Sequence, residues 1–141
     1  MDNLLHRDIT DQIIKTYFEV YNELGYGFLE RVYQNSMLLE LKNKGLNVES
    51  QKMIKVHYKG LLVGDYFADI IVENVVILEL KASEVLVQEN ELQLLNYLRA
   101  TDVEVGLLLN FGKKAEFRRK IFTNDRKNLN IDLSNINNLD Q

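Results

Sequence analysis

The stretch from Asp69 to Lys81 constrains the fold of this chain more than any other. It consists of two short β-branched runs joined by Glu73 and Asn74, a pattern that predicts a hairpin of two strands. Side chains alternate between the faces of a strand, so Glu79 and Lys81 share one face of the second run. Charges in an apolar strand are rarely buried unless they are paired or bind a metal. Two interpretations follow: an ion pair between Glu79 and Lys81 on a solvated face, or a site for a metal and a phosphate.

The length of the hairpin loop decides whether Asp69 joins that face. An odd number of loop residues, such as the three from Glu73 to Val75, places Asp69 on the same face as Glu79. A two-residue loop would place the two carboxylates on opposite faces. We predict the odd-length loop or a bulge.

Composition limits both the size of the protein and the kind of metal it can bind. The chain has 141 residues, 46% of them hydrophobic, which fits a single domain with one sizeable core. It has no cysteine and two histidines, so any metal would be held mostly by oxygen, as Mg²⁺, Mn²⁺ and Ca²⁺ are. We find neither an apolar run of ~18 residues nor a signal peptide, and we therefore expect a cytoplasmic protein with no membrane partner.

Charge is unevenly distributed along the chain. The formal net charge is -4, but the segment 113–127 carries seven basic residues against two acidic ones, a local balance of +5. Such a segment predicts either an edge that contacts phosphates or a solvated basic face. The basic residues are Lys113, Lys114, Arg118, Arg119, Lys120, Arg126 and Lys127.

The order of predicted elements is helix, helix, three strands, helix, two strands, which indicates a mixed α/β or α+β fold. The pattern places Leu92, Leu95 and Leu98 inward on the third helix, and Gln93, Asn96 and Tyr97 on a polar strip that is typical of a solvent-facing surface. We expect one domain over 1–123 and a polar, asparagine-rich tail over 124–141. The predicted helices are 8–24, 28–44 and 83–100, and the predicted strands are 48–58, 61–72, the second hairpin run, 103–110 and 115–123.

Glu30 lies in the first turn of the second predicted helix, with Tyr33 three residues further on. A carboxylate at this position complements the helix dipole, an effect of ~0.3 to 1 kcal/mol. The alternative is a helical carboxylate that faces the hairpin site.

Several motifs together resemble a known family. Residues 27–33 match the pattern Gly-x-x-Glu-x-x-Tyr, and the chain resembles the GxxExxY proteins, a branch of the PD-(D/E)XK nuclease-like superfamily. The resemblance extends over roughly residues 8–123. It includes Asp69, the triplet Glu79-Leu80-Lys81, the helix Gln93-Leu94-Leu95-Asn96-Tyr97-Leu98 and the strand end Leu107-Leu108-Leu109-Asn110-Phe111-Gly112.

The resemblance implies a restriction-endonuclease-like core and a role for each motif residue. Asp69 and Glu79 would be metal ligands, Lys81 would orient or activate water, and Glu30 would face the same site. Gln93 and Tyr97 match supporting polar positions of the family.

We therefore expect a Mg²⁺- or Mn²⁺-dependent nuclease that acts on DNA rather than RNA. Arg118 and Lys120 of the basic segment are candidate substrate contacts. A homodimer is compatible with the sequence. The alternative is a catalytically weak or inactive module on the same fold, which binds nucleic acid or another protein.

Overall fold

The computed structural model describes residues 5–127, so 128–141 of the predicted tail lie outside the described residues. The element order is the predicted one, α-α-β-β-β-α-β-β. No helix within 5–127 has an apolar stretch long enough to cross a membrane. The elements are α1 (Arg7–Leu24), α2 (Glu30–Asn43), β1 (Val48–Tyr58), β2 (Leu61–Val72), β3 (Val76–Lys81), α3 (Gln88–Arg99), β4 (Val105–Phe111), β5 (Ala115–Ile121) and a 3-10 turn (Asn124–Arg126).

The five strands form one mixed sheet in the order β1-β2-β3-β4-β5. β1 pairs antiparallel with β2, β2 with β3, and β4 with β5, whereas β3 and β4 run parallel and are joined through α3. Because β3 and β4 are parallel, their carboxyl ends meet at one edge of the sheet. Lys81 ends β3 there, opposite Asn110 of β4.

Helices cover both faces of the sheet, and each face has its own core. One core packs α1 and α2 against the side of β3 that carries Val76, Leu78 and Leu80. The other packs α3 against Ile77 of β3 and Leu108 of β4. Since Glu79 is two residues from Ile77, its side chain emerges on the α3 face.

The hairpin between β2 and β3 has the predicted odd-length loop. Ile70 lies opposite Leu78 and Val72 opposite Val76, which leaves the three residues from Glu73 to Val75 as the loop. Glu73 and Asn74 both have left-handed backbone conformations, with φ of 52° and 58°. The predicted odd-length loop is confirmed, and Asp69 directly precedes the last paired residue of β2, Ile70.

The alternation of faces is interrupted in β2 next to Asp69. Ile70 packs in the α1/α2 core, yet both Ile71 and Ala68, three residues apart, pack in the α3 core. On the neighbouring strand, Gln51 has a left-handed φ of 52° between the pairs Ser50–Ile70 and Lys52–Ala68. The left-handed residue of β1 therefore lies next to the point where the alternation of β2 changes.

The third helix begins later than predicted and turns a different face inward. α3 starts at Gln88 rather than at 83. Leu92 is 49% exposed, so its predicted inward position is wrong, while Leu94 and Tyr97 are buried. Leu94 packs so closely on β4 that a Cβ at Gly106 would lie 2.7 Å from its Cδ1. A glycine in the strand therefore allows the helix to approach the sheet.

Candidate active site

The carboxylates of Asp69 and Glu79 each accept a hydrogen bond from the main chain of the opposite strand. The main-chain N–H of Asp69 donates to Glu79 Oε2 at 3.0 Å, and the N–H of Leu80 donates to Asp69 Oδ2 at 2.8 Å. These bonds follow directly after the last regular pair, Ile70–Leu78. Each carboxylate therefore has one oxygen fixed by a main-chain amide of the opposite strand.

Burial of this pair opposes its ionisation. Glu79 is 5% exposed. Desolvation, followed by the nearby charge of Asp69, raises the pKa of Glu79 to about 8. Desolvation also raises the pKa of Asp69, with a further contribution from the charge of Glu30. Two carboxylates that resist ionisation side by side indicate a site that favours a positive charge between them.

Lys81 lies beside the pair without being bound to it. It is two residues after Glu79 on the same face of β3, and its charge lowers the pKa of both Asp69 and Glu79. Among residues 5–127, however, Lys81 forms no salt bridge within 4.0 Å and no side-chain hydrogen bond. The first interpretation of the sequence, an ion pair on a solvated face, does not describe this arrangement because Glu79 is buried.

Glu30 approaches the same carboxylates from the α2 side. It is the first residue of α2 and is exposed. Its charge contributes to the raised pKa of both Asp69 and Glu79, and its role in the site stays a prediction. The position still complements the helix dipole, so the two interpretations of Glu30 are compatible.

Gln93 and Tyr97 reach the site from α3. Gln93 Nε2 donates to the Tyr97 hydroxyl at 2.9 Å. Desolvation, and then the charge of Glu79, raises the pKa of Tyr97 to about 12. Tyr97 is therefore a neutral phenol that the charge of Glu79 reaches. Of the predicted polar strip, Tyr97 is buried and Gln93 is half-buried, whereas Asn96 faces solvent as predicted.

Arg118 and Lys120 lie elsewhere and are compensated within the protein. Lys120 Nζ is 2.5 Å from Glu91 Oε1, and Arg118 is paired with both Glu91 and Glu116. Arg118 is opposite Leu108, which is in turn opposite Glu79, so Arg118 is two strands away from β3. The structure does not bring these two cations to the carboxylate pair, and their contact with substrate stays a prediction.

Three residues to which the sequence analysis assigned no individual role support the site. Gln34 Nε2 donates to the main-chain oxygen of Asp69 at 3.1 Å, and the side chain of Gln51 hydrogen-bonds the Asp69 carboxylate. Asn110 is fully buried and its amide forms two hydrogen bonds with the main chain of Ser83, just beyond Lys81. Gln34 is one helical turn after Glu30, and Asn110 is a polar residue at the end of a run of leucines. Both positions could therefore have been recognised in the sequence as candidates that support the site. Nothing in the sequence indicated the left-handed conformation of Gln51.

The donor set suits a small hard cation. No group of three or more His, Cys, Asp or Glu side chains that could hold a metal occurs within the described part of the chain. Mg²⁺ nevertheless keeps several waters and is usually bound by one or two carboxylates together with substrate phosphates. Asp69 and Glu79 supply such a pair, each with an oxygen beyond the one that its amide partner occupies.

Comparison with known proteins shows the family and the fold of the chain. The family model of the PD-(D/E)XK nuclease superfamily matches residues 7–120. The fold is similar to that in the crystal structure of SSO0001, with a TM-score of 0.56 and 17% sequence identity. The similarity covers 79% of this chain but 59% of that one. No curated protein matches the chain. The predicted restriction-endonuclease-like architecture is confirmed.

Proposed function

We propose, because the chain belongs to the PD-(D/E)XK nuclease superfamily, that it is a Mg²⁺- or Mn²⁺-dependent nuclease that hydrolyses phosphodiester bonds of DNA. The observation that carries the proposal is the buried pair of Asp69 and Glu79, joined by reciprocal main-chain hydrogen bonds, with the ammonium of Lys81 beside it. A purely structural carboxylate pair would have no need of a nearby ammonium that forms no hydrogen bond or salt bridge within residues 5–127.

Each residue would contribute a distinct part of the reaction. Asp69 and Glu79 would hold the ion with their second oxygens. When bound, the ion supplies a Lewis acid for the phosphoryl oxygen and lowers the pKa of a coordinated water. Lys81 would orient the attacking water or stabilise the negative charge that develops on the phosphate. Glu30, from the other side, would accept a hydrogen bond from a water in the same site.

Gln93 and Tyr97 would position the substrate. The raised pKa of Tyr97 keeps its hydroxyl protonated at neutral pH, so it can donate a hydrogen bond to a phosphate oxygen. Gln93 fixes the direction of that hydroxyl by donating to its oxygen.

The Gly-x-x-Glu-x-x-Tyr motif supports assignment to the GxxExxY branch, because its residues form one local unit. The Tyr33 hydroxyl donates to the main-chain oxygen of Gly25 at 2.7 Å and accepts from the N–H of Phe28 at 3.2 Å. Gly27 between them has a φ of 111°, which favours glycine. The tyrosine and the glycine thus shape the turn before Glu30, and this turn would direct Glu30 toward the site.

A cytoplasmic location and a homodimer complete the proposal. The candidate dimer surface is the tip of the β1–β2 hairpin, where Leu61, Leu62 and Val63 are exposed. Sedimentation of the purified protein, compared with a Leu62→Glu variant, tests the dimer.

Cleavage of labelled single- and double-stranded DNA and RNA, with Mg²⁺, Mn²⁺ or chelator, tests the activity. We expect metal-dependent cleavage of DNA that Lys81→Ala reduces by ~100-fold or more, the range for loss of one group that stabilises a transition state. Lys15→Ala, an exposed change on α1, is the matched control and should cleave like the wild type. Binding of DNA without cleavage in any condition would instead favour the inactive binding module.

A further inference from the structure

A groove of about 850 Å³ adjoins the carboxylate site on its α3 side. It lies between the β1–β2 hairpin, α3 and the segment that follows β5. Tyr66, Gln93 and Tyr97 line its inner end. Tyr97 packs in the same core as Ala68, which precedes Asp69, and Ile77, which lies two residues before Glu79. A ligand in this groove would therefore continue directly into the proposed active site.

The outer end of the groove presents two guanidinium groups on one aromatic ring. Arg99, the last residue of α3, lies over Phe122 with its guanidinium carbon 5.0 Å from the ring centroid. Arg126, from the 3-10 turn, lies over the same ring at 4.7 Å. Stacking on an aromatic ring orients a guanidinium but leaves its N–H donors free for another partner.

These arginines differ from the basic residues of β5. Arg118 and Lys120 share Glu91 as an ion-pair partner. Neither Arg99 nor Arg126 has a carboxylate within salt-bridge distance in the range 5–127. With Lys127 and one acid, Glu89, the lining carries a charge of +2 on a chain whose net charge is -4. The groove is thus a local site for an anion.

Tyr66 adds a surface for a flat apolar group. Its side chain is 51% exposed, and its ring lies 5.6 Å from that of Tyr97. A nucleobase can stack on such a ring only when it is unpaired, whereas guanidinium groups bind the phosphates that link successive bases. Both requirements are met by one ligand class, a single strand of nucleic acid.

We propose that this groove binds the single-stranded segment of the substrate next to the phosphate that is cleaved, with Tyr66 stacking on a base and Arg99 and Arg126 contacting the backbone. The inference rests on the proposed nuclease function. It implies that the enzyme acts on single strands, overhangs or frayed ends in preference to continuous duplex.

Binding of a fluorescent oligothymidylate in chelator, measured by anisotropy at several salt concentrations, tests the groove without requiring cleavage. We expect Arg99→Ala/Arg126→Ala to reduce affinity and to lower the salt slope by about 1.4, since each single-strand phosphate contact contributes ~0.7. Tyr66→Ala should weaken binding by about 5- to 100-fold, as loss of one base stack does, and Tyr66→Phe should restore it. Lys15→Ala/Lys42→Ala, which removes two exposed charges from α1 and α2, is the control and should bind like the wild type.

These outcomes distinguish failure of the groove proposal from failure of the proposed nuclease activity. Wild-type affinity and salt slope in Arg99→Ala/Arg126→Ala would overturn the groove even if the wild type cleaves DNA. Loss of binding in that variant, in a protein that never cleaves, would support the groove and contradict the nuclease. Equal affinity of the wild type for a blunt duplex of the same length would overturn the preference for single strands.

Discussion

Replacing Glu79 by glutamine should stabilise the metal-free protein at alkaline pH while abolishing its function. Glutamine has nearly the same shape, and its oxygen can still accept the hydrogen bond from the N–H of Asp69. Its amide group can also donate to the neighbouring carboxylate. The substitution therefore removes a buried charge without removing the contact that holds the two strands together.

The magnitude follows from the pKa of Glu79, which burial raises from 4.5 to about 8. Between these values the unfolded chain has lost the proton and the folded chain retains it. The free energy of unfolding therefore falls as pH rises from about 4.5 to about 8, and it levels off above that range. At about 1.4 kcal/mol per pKa unit, the loss amounts to at most about 5 kcal/mol.

Urea unfolding in chelator at about pH 5 and about pH 8.5 measures this difference. Glu79→Gln should be more stable than the wild type by several kcal/mol at the higher pH and should differ by about 1 kcal/mol or less at the lower pH, where the wild-type side chain is already neutral. Glu23→Gln, an exposed change on α1, should follow the pH dependence of the wild type.

A difference between Glu79→Gln and the wild type that does not change with pH would refute the reasoning. It would mean that Glu79 is ionised in the folded protein throughout this range, and the carboxylate pair would then have to be balanced by some other charge.

Two further predictions address the metal and the support of the site. Mn²⁺ at ~100 times its dissociation constant should raise the free energy of unfolding by ~2.7 kcal/mol. Asp69→Asn should reduce this stabilisation, and the exposed control Asp65→Asn should retain it. An unchanged free energy of unfolding in the wild type on addition of Mn²⁺ would contradict metal binding. Asn110→Ala should reduce the free energy of unfolding by about 2 to 4 kcal/mol because it removes both hydrogen bonds to the main chain of Ser83. The exposed control Asn43→Ala should change it by about 0.5 kcal/mol or less. Equal urea midpoints for the two variants would contradict a stabilising role of the Asn110–Ser83 hydrogen bonds.

The fold was largely predictable from sequence because its elements carry strong local patterns. Helical periodicity placed α1 and α2 within two residues of their observed bounds, and β1 and β2 agree with their predicted ranges. The start of α3 was wrong because nothing in 83–87 breaks a helical pattern. The mistaken inward position of Leu92 has a different cause: α3 buries Leu94 against Gly106, a contact that depends on how closely the helix approaches the sheet.

The site was predictable where it depends on local geometry and on motifs. The odd-length hairpin loop was predictable, and it leaves Asp69 directly beside the last regular pair, Ile70–Leu78. The roles of Gln51 and Asn110 depend on contacts between segments distant in sequence, and Gln51 adopts a left-handed conformation that its residue type does not favour. The ion pairs of Arg118 and Lys120 with Glu91 were equally hidden, since net charge along the chain does not show which charges meet in space.

The reciprocal hydrogen bonds of Asp69 and Glu79 have a consequence for how such a protein would change in evolution. Because an amide oxygen can accept the same main-chain hydrogen bonds, selection for a stable hairpin would preserve an acceptor in place of Asp69 and Glu79, but not its charge, after catalysis had been lost. Lys81 has no such bond among residues 5–127, so only catalysis would maintain it. In a lineage of related chains, an inactive descendant should therefore be marked by substitution of the lysine and by amides in place of one or both acids.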